Sequence, residues 1–142
     1  MLFPKKVKHR KWQSKRWNTK RKKTESRGTT LAFGAYGIKA ETSDRVTSNQ
    51  IESARRVLSR SVGKTGRVWI RIFPDRPFTQ KGAEVPMGKG KGDPKGYVAE
   101  VFAGRIMFEI DGVTFAAAKE AFRKAGSKLP TRTRMVARAD AK

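Results

Sequence analysis

Residues 1–28 carry twelve Lys or Arg, a single acid (Glu25) and few aliphatic side chains, so any hydrophobic core must be built downstream of them. A segment with so much self-repulsion and so little to bury is expected to be disordered on its own. Two plain fates are open to it, a solvated solubility tail or an Arg- and Ser-rich organelle-targeting sequence. Trp12 and Trp17 argue for more than a tail. Large rings in a basic stretch suit either stacking on unpaired bases or packing onto a domain core.

The imbalance extends along the chain, where 34 Lys and Arg against 12 Asp and Glu give a formal charge of +22. Self-repulsion on that scale opposes compaction until a polyanion neutralises it, and nucleic acid is the obvious one. An anionic membrane is the competing partner. No apolar run approaches the roughly 18 to 20 residues of a spanning helix, and the Met1 end lacks a hydrophobic signal region, so a soluble, unsecreted protein with no membrane partner is expected. With no cysteine there is no disulfide, thiolate metal site or cysteine nucleophile. The one histidine, His9, lies among Lys8, Arg10 and Lys11, where neighbouring cations disfavour a metal or catalytic role.

The 142 residues suffice for one compact domain. Its composition begins at Thr29, giving a division into a basic arm (1–28), a domain (29–136) and a flexible tail (137–142). TTLAF, a turn at 34–37 and GIKAE read as a hairpin. Thr47 and Gln50 form a capping box for a helix whose Ile51, Ala54, Arg55 and Leu58 share one face, flanked by Arg56 and Arg60. VWIRIF (68–73) is a strand with Val68, Ile70 and Ile72 on one side and Trp69, Arg71 and Phe73 on the other. YVAEVFA and RIMFEI, joined by Gly104, read as paired strands. A second helix, capped by Thr114, presents Phe115, Ala118, Ala121, Phe122 and Ala125, and residues 129–136 return as a last strand. This order predicts an α+β fold, an antiparallel or mixed sheet packed against two helices. Leu58, Val68, Ile70, Ile72, Phe108 and Phe122 are the expected core.

Residues 74–96 read as a long inserted loop rich in Gly and Lys, with Met87 the large apolar residue at its centre. Gly lets backbone approach a ligand and Lys supplies phosphate charge, so the loop is either a finger that inserts into RNA or an ordinary surface loop. Gly63-Lys64-Thr65 fails as a phosphate-binding loop, since Leu58 stands where the leading glycine is needed and the segment ends a helix instead of opening one. The acids show no diagnostic catalytic pairing. No enzyme, cofactor or metal is expected.

The ordered set Pro4-Lys5-Lys6, Phe33-Gly34-Ala35-Tyr36-Gly37, Thr47-Ser48-Asn49-Gln50-Ile51-Glu52-Ser53-Ala54-Arg55-Arg56, Val68-Trp69-Ile70-Arg71-Ile72-Phe73-Pro74-Asp75-Arg76-Pro77, Met87-Gly88-Lys89-Gly90-Lys91-Gly92 and Lys128-Leu129-Pro130 resembles the bacterial-type large-subunit ribosomal protein family L sixteen. The resemblance implies a structural protein seated on large-subunit ribosomal RNA near the aminoacyl-transfer-RNA site, in the cytoplasmic ribosome of a bacterium or in an organellar one. Transfer RNA and neighbouring ribosomal proteins are the implied partners, without a homo-oligomer. Arm and loop would extend toward the functional centre, which assigns RNA contact to the arm lysines Lys5, Lys6, Lys8 and Lys11 and to Lys89 and Lys91. The basic and aromatic residues Arg10, Trp12 and Arg16 of the arm, Arg55 and Arg56 on the first helix, and Lys81, Met87, Gly88 and Gly90 of the loop are further candidate RNA contacts read from charge, ring surface and glycine content. Many relatives carry a hydroxylatable arginine just before the loop Met; here that position is Pro86, which can neither make a guanidinium contact nor take that modification.

Overall fold

A computed structural model describes residues 1–14 and 23–139. Arg16 and Trp17 lie outside the described residues. In chain order the elements are β1 (Tyr36–Ala40), β2 (Asp44–Thr47), α1 (Ser48–Val62), β3 (Arg67–Ile70), β4 (Arg76–Gln80), β5 (Asp93–Val101), β6 (Ile106–Asp111), α2 (Phe115–Gly126) and β7 (Thr133–Ala137). The α+β expectation holds, with two antiparallel sheets in place of one. A four-stranded sheet runs β3-β6-β1-β7 and a three-stranded sheet runs β2-β5-β4.

Both helices start where the sequence supplies a cap. Thr47 accepts from the Gln50 N–H at 3.4 Å while the Gln50 side chain accepts from the Thr47 N–H at 2.9 Å, so two end donors are satisfied reciprocally. Thr114 accepts from the Ala117 N–H in the same way at the start of α2. Helical spacing then lines up Ile51, Ala54, Leu58 and Val62 on α1, and Ala118, Ala121, Phe122 and Ala125 on α2, all of them buried. The helices pack on each other, α1 against β3 and β6 and α2 against β1 and β7, so one face of the larger sheet carries the core.

Several expected elements are relocated. YVAEVFA and RIMFEI do not pair: β5 belongs to the small sheet and β6 lies at the centre of the large one, with Gly104 at the crossing, its N–H donating to the Ala40 carbonyl at 2.7 Å. Period-two alternation identifies a strand's faces but not its partner. Much of the 74–96 loop is hairpin, since β4 and the start of β5 pair from Arg76↔Val98 to Gln80↔Asp93 and leave residues 81–92 as the connection. Residues 31–35 form no strand; they lie over β6 instead. Strand β3 ends at Ile70, two of the expected core side chains (Val68 and Ile70) are partly buried, and Phe115 is 52% exposed, its ring meeting Tyr36 edge-on. The last strand is displaced to β7, one residue past the expected domain end.

Candidate nucleic-acid interface

Among the described residues the arm is anchored at three places, the last at its end, where the Glu25 N–H donates to the Ala103 carbonyl and the Ile106 N–H to the Gly28 carbonyl, each at 2.9 Å. Near its start, Leu2 packs against the core and its carbonyl accepts from the Ser48 hydroxyl at 3.0 Å. Ten residues on, the arm is clipped to the β4–β5 hairpin. Lys91 Nζ donates to the Trp12 carbonyl, Arg76 donates to the Gln13 carbonyl at 2.9 Å, and Lys11 lies 3.7 Å from the Asp93 carboxylate and 3.5 Å from the Lys91 carbonyl. The Arg76 guanidinium also covers one face of Trp12, 5.5 Å from the ring centre. Between the first two anchors Lys5, Lys6, Lys8 and Arg10 are exposed. Arm and hairpin therefore form one continuous basic surface.

At the hairpin tip the backbone runs through three successive left-handed residues, Gly88 (φ 101°), Lys89 (φ 52°) and Gly90 (φ 97°). Two glycines accept that conformation freely, whereas Lys89 adopts it against the preference of a side-chain-bearing residue. Inside the tip, Lys81 Nζ donates to the Gly88 carbonyl and, at 3.4 Å, to that of Pro86, so this lysine fastens the loop to itself. Met87 is 92% exposed. Of the loop residues expected to touch RNA, Lys89 is exposed and makes no hydrogen bond or ion pair among the described residues, while Lys91 is shared with the arm.

The arginines of α1 are placed elsewhere. Glu52 holds Arg55 through two hydrogen bonds of 2.9 and 2.7 Å and Arg56 through one of 3.2 Å. The Arg55 bonds are the main reason Glu52 is held down at about 2; slight burial opposes them and Arg56 adds to them. These two guanidinium groups are thus partly neutralised, and among the described residues no contact of theirs joins the arm–hairpin surface.

Sequence reasoning missed a buried clamp built on Glu109. Its carboxylate is wholly buried and accepts from the backbone N–H groups of Ala32 (3.1 Å), Phe33 (2.7 Å) and Gly34 (2.7 Å) and from Arg71. Burial pushes its pKa up, but the Gly34, Phe33 and Ala32 donors and the Arg71 guanidinium together hold it below the ordinary carboxylate range. Gly34 is required for this approach, because a Cβ there would lie 2.5 Å from the Ile110 carbonyl oxygen. Above the clamp Phe33 stacks on Trp69 (centroids 6.1 Å, 17° between planes), and Arg71 sits 5.3 Å from the Phe33 ring. The available signal was a lone acid inside the apolar run IMFEI, directly across from Trp69 in the register of β3 and β6.

The model of the family described as ribosomal protein L16p/L10e matches residues 4–136. Similar proteins include the large ribosomal subunit protein uL16 of Rhodopseudomonas palustris, 54% identical over 138 residues that cover 97% of this chain and 98% of that protein. The uL16 of Parabacteroides distasonis is 51% identical, covering 99% of this chain and 94% of its own. That of Polaromonas naphthalenivorans is 52% identical, with 97% of each chain covered. Sharing more than half its residues with these proteins along nearly their whole length, the chain belongs to the ribosomal protein L16p/L10e family, a structural constituent of the large ribosomal subunit and not an enzyme.

Proposed function

We propose that this chain seats on large-subunit ribosomal RNA near the aminoacyl-transfer-RNA site, where it supports subunit assembly and the positioning of transfer RNA. The observation that carries this reading is the clip between arm and hairpin, in which Lys11, Trp12 and Gln13 meet Lys91, Asp93 and Arg76. It turns a segment unable to fold alone into one wall of a cationic surface whose other wall is the loop carrying Lys89. Residues 1–28 then serve as the RNA-binding arm and residues 29–136 as the scaffold that aims it, a monomeric one with ribosomal proteins beside it. Affinity comes chiefly from phosphate charge and from fit to RNA shape, with aromatic and guanidinium contacts at exposed bases adding local preference, so sequence specificity is modest. The RNA performs peptidyl transfer. Relatives at 51–54% identity come from bacteria, which supports a bacterial cytoplasmic ribosome as the setting.

The test is binding to large-subunit ribosomal RNA against an unrelated RNA of equal length, across salt. If about 6 to 10 phosphates are neutralised, both affinities fall by roughly 10³ to 10⁵ between about 50 and 200 mM salt. A preference for ribosomal RNA that survives the higher salt supports a specific seat. Equal binding throughout leaves a generic polycation and overturns the reading.

A further inference from the structure

We propose that the cleft between the arm and the two sheets, about 500 Å³ in volume, receives one unpaired RNA nucleotide and prefers a base with an exocyclic amine. This rests on the RNA-binding reading above and adds to it a site and a base preference. The volume falls within the roughly 300–1,000 Å³ range of ligand cavities. Four side chains in its lining supply the three things a nucleotide needs.

Trp12 and Phe73 supply ring surface. They are 42% and 46% exposed, and a base can stack on either because every base has a π-face. Arg105 supplies charge for the phosphate. Its guanidinium is held by neutral acceptors, the carbonyls of Arg27 and Arg71 at 3.1 Å each, and among the described residues no carboxylate pairs with it. A cation fixed in place and not neutralised suits a phosphate oxygen.

Asp75 supplies the base edge. In a chain with 34 cations and 12 acids, this exposed carboxylate lines the cleft without an ion pair among the described residues. Its neighbour Glu100 is instead engaged by Arg76 at 2.6 Å and Arg45 at 3.4 Å. An ionised carboxylate only accepts, so it favours the amino group of cytosine, adenine or guanine. Uracil presents two carbonyl oxygens around a single N–H and is repelled. An acidic peptide would meet Asp75 and a basic one would meet Arg105, so the mixed lining favours a nucleotide over either.

The experiment uses the full chain and RNA hairpins identical except for one bulged nucleotide, measured by fluorescence anisotropy at about 0.15 M salt, where the Debye length is roughly 8 Å. Cytosine and adenine bulges are expected to bind about tenfold more tightly than a uracil bulge, the scale of one good base-edge contact. Asp75→Asn should bring the cytosine-to-uracil ratio close to one, since an amide both donates and accepts. A bulged 2-aminopurine should be quenched by the wild-type protein and not by Trp12→Ala. Equal affinities for all bulges together with an unquenched probe overturn the cleft assignment while leaving RNA binding intact. Failure to bind any hairpin overturns the RNA reading and the cleft with it.

Discussion

Replacing Glu109 with Gln tests whether the buried carboxylate clamp holds residues 31–35 over β6. The substitution keeps shape and removes charge. One oxygen accepts from Phe33 and Gly34 at 2.7 Å and the other from Ala32 at 3.1 Å and from Arg71, so a glutamine can keep its carbonyl toward only one of these groups. The other side must then present an amide donor to existing donors, and Arg71, whose side chain is 18% exposed, loses its counter-charge. Removing one partner of a buried pair costs about 3–5 kcal/mol. At roughly 3 °C per kcal/mol for a chain of this size, the melting temperature should fall by about 10–15 °C. Thermal unfolding followed by circular dichroism measures it. Linkage adds a second signature. Because Glu109 titrates below its ordinary range in the folded state, its contribution is fully present above the unfolded carboxylate pKa of about 4.3 and disappears as pH falls through the lower folded value. The gap between wild type and Glu109→Gln should therefore be constant from about pH 6 to 8 and narrow below about pH 4. A fall of less than about 3 °C at neutral pH, roughly 1 kcal/mol, would refute the clamp.

Gly34→Ala should destabilise by about 1–3 kcal/mol in denaturant titration, because its Cβ would sit 2.5 Å from the Ile110 carbonyl oxygen and force the clamp apart. Lys89→Ala should leave the melting temperature of the isolated protein nearly unchanged while impairing subunit maturation or transfer-RNA accommodation, checked by sedimentation of assembling subunits and by aminoacyl-transfer-RNA binding; a large melting shift would make the loop tip structural. Lys91→Ala should in addition release the arm, read as faster tryptic cleavage after Arg10 or Lys11, since Lys91 holds the Trp12 carbonyl. Glu52→Gln frees Arg55 and Arg56; if these reach phosphates, the slope of log affinity against log salt steepens by about 1 to 2, and an unchanged slope removes both from the interface.

What could be read in the sequence follows the range of the interactions involved. Thr47 with Gln50, Thr114 and the two apolar stripes act within one or two helical turns, so both helices were legible almost to the residue. Strand partnership depends on distant chain, and there the reading failed: nothing within YVAEVFA or RIMFEI indicates that Gly104 separates two sheets. Pro77 and Pro94 disguised the β4–β5 hairpin. The structure tolerates both because β4 is an edge strand and Pro94 lies where β5 has β4 as its one neighbour. The alternation of VWIRIF did place Trp69 and Arg71 on a common side, and that side meets Phe33 and Glu109. For the interface, sequence identified arm and loop as basic segments. That they touch each other, chiefly by lysine and arginine donors meeting backbone carbonyls, has no sequence pattern to announce it.

The distribution of acids bears on how so basic a chain packs a core. Glu52, Glu100, Glu109 and Glu120 each hold an arginine of the domain, and Glu52, Glu100 and Glu120 hold a second cation as well. Repulsion is thereby relieved where the helices and sheets must pack. In the arm the exposed Lys5, Lys6, Lys8 and Arg10, and in the loop Lys89, take part in no ion pair among the described residues, so the surplus charge collects on the arm and the loop tip. These two populations respond differently to salt. The Arg71–Glu109 and Arg76–Glu100 pairs are largely shielded from solvent, so added salt screens them weakly. Exposed arm and loop cations are screened strongly, both against each other and against phosphate. Moderate salt should therefore leave domain stability unchanged or slightly raised over the same range in which RNA affinity collapses. Parallel losses of both would mean that the domain's own ion pairs, and not its apolar core, hold it together.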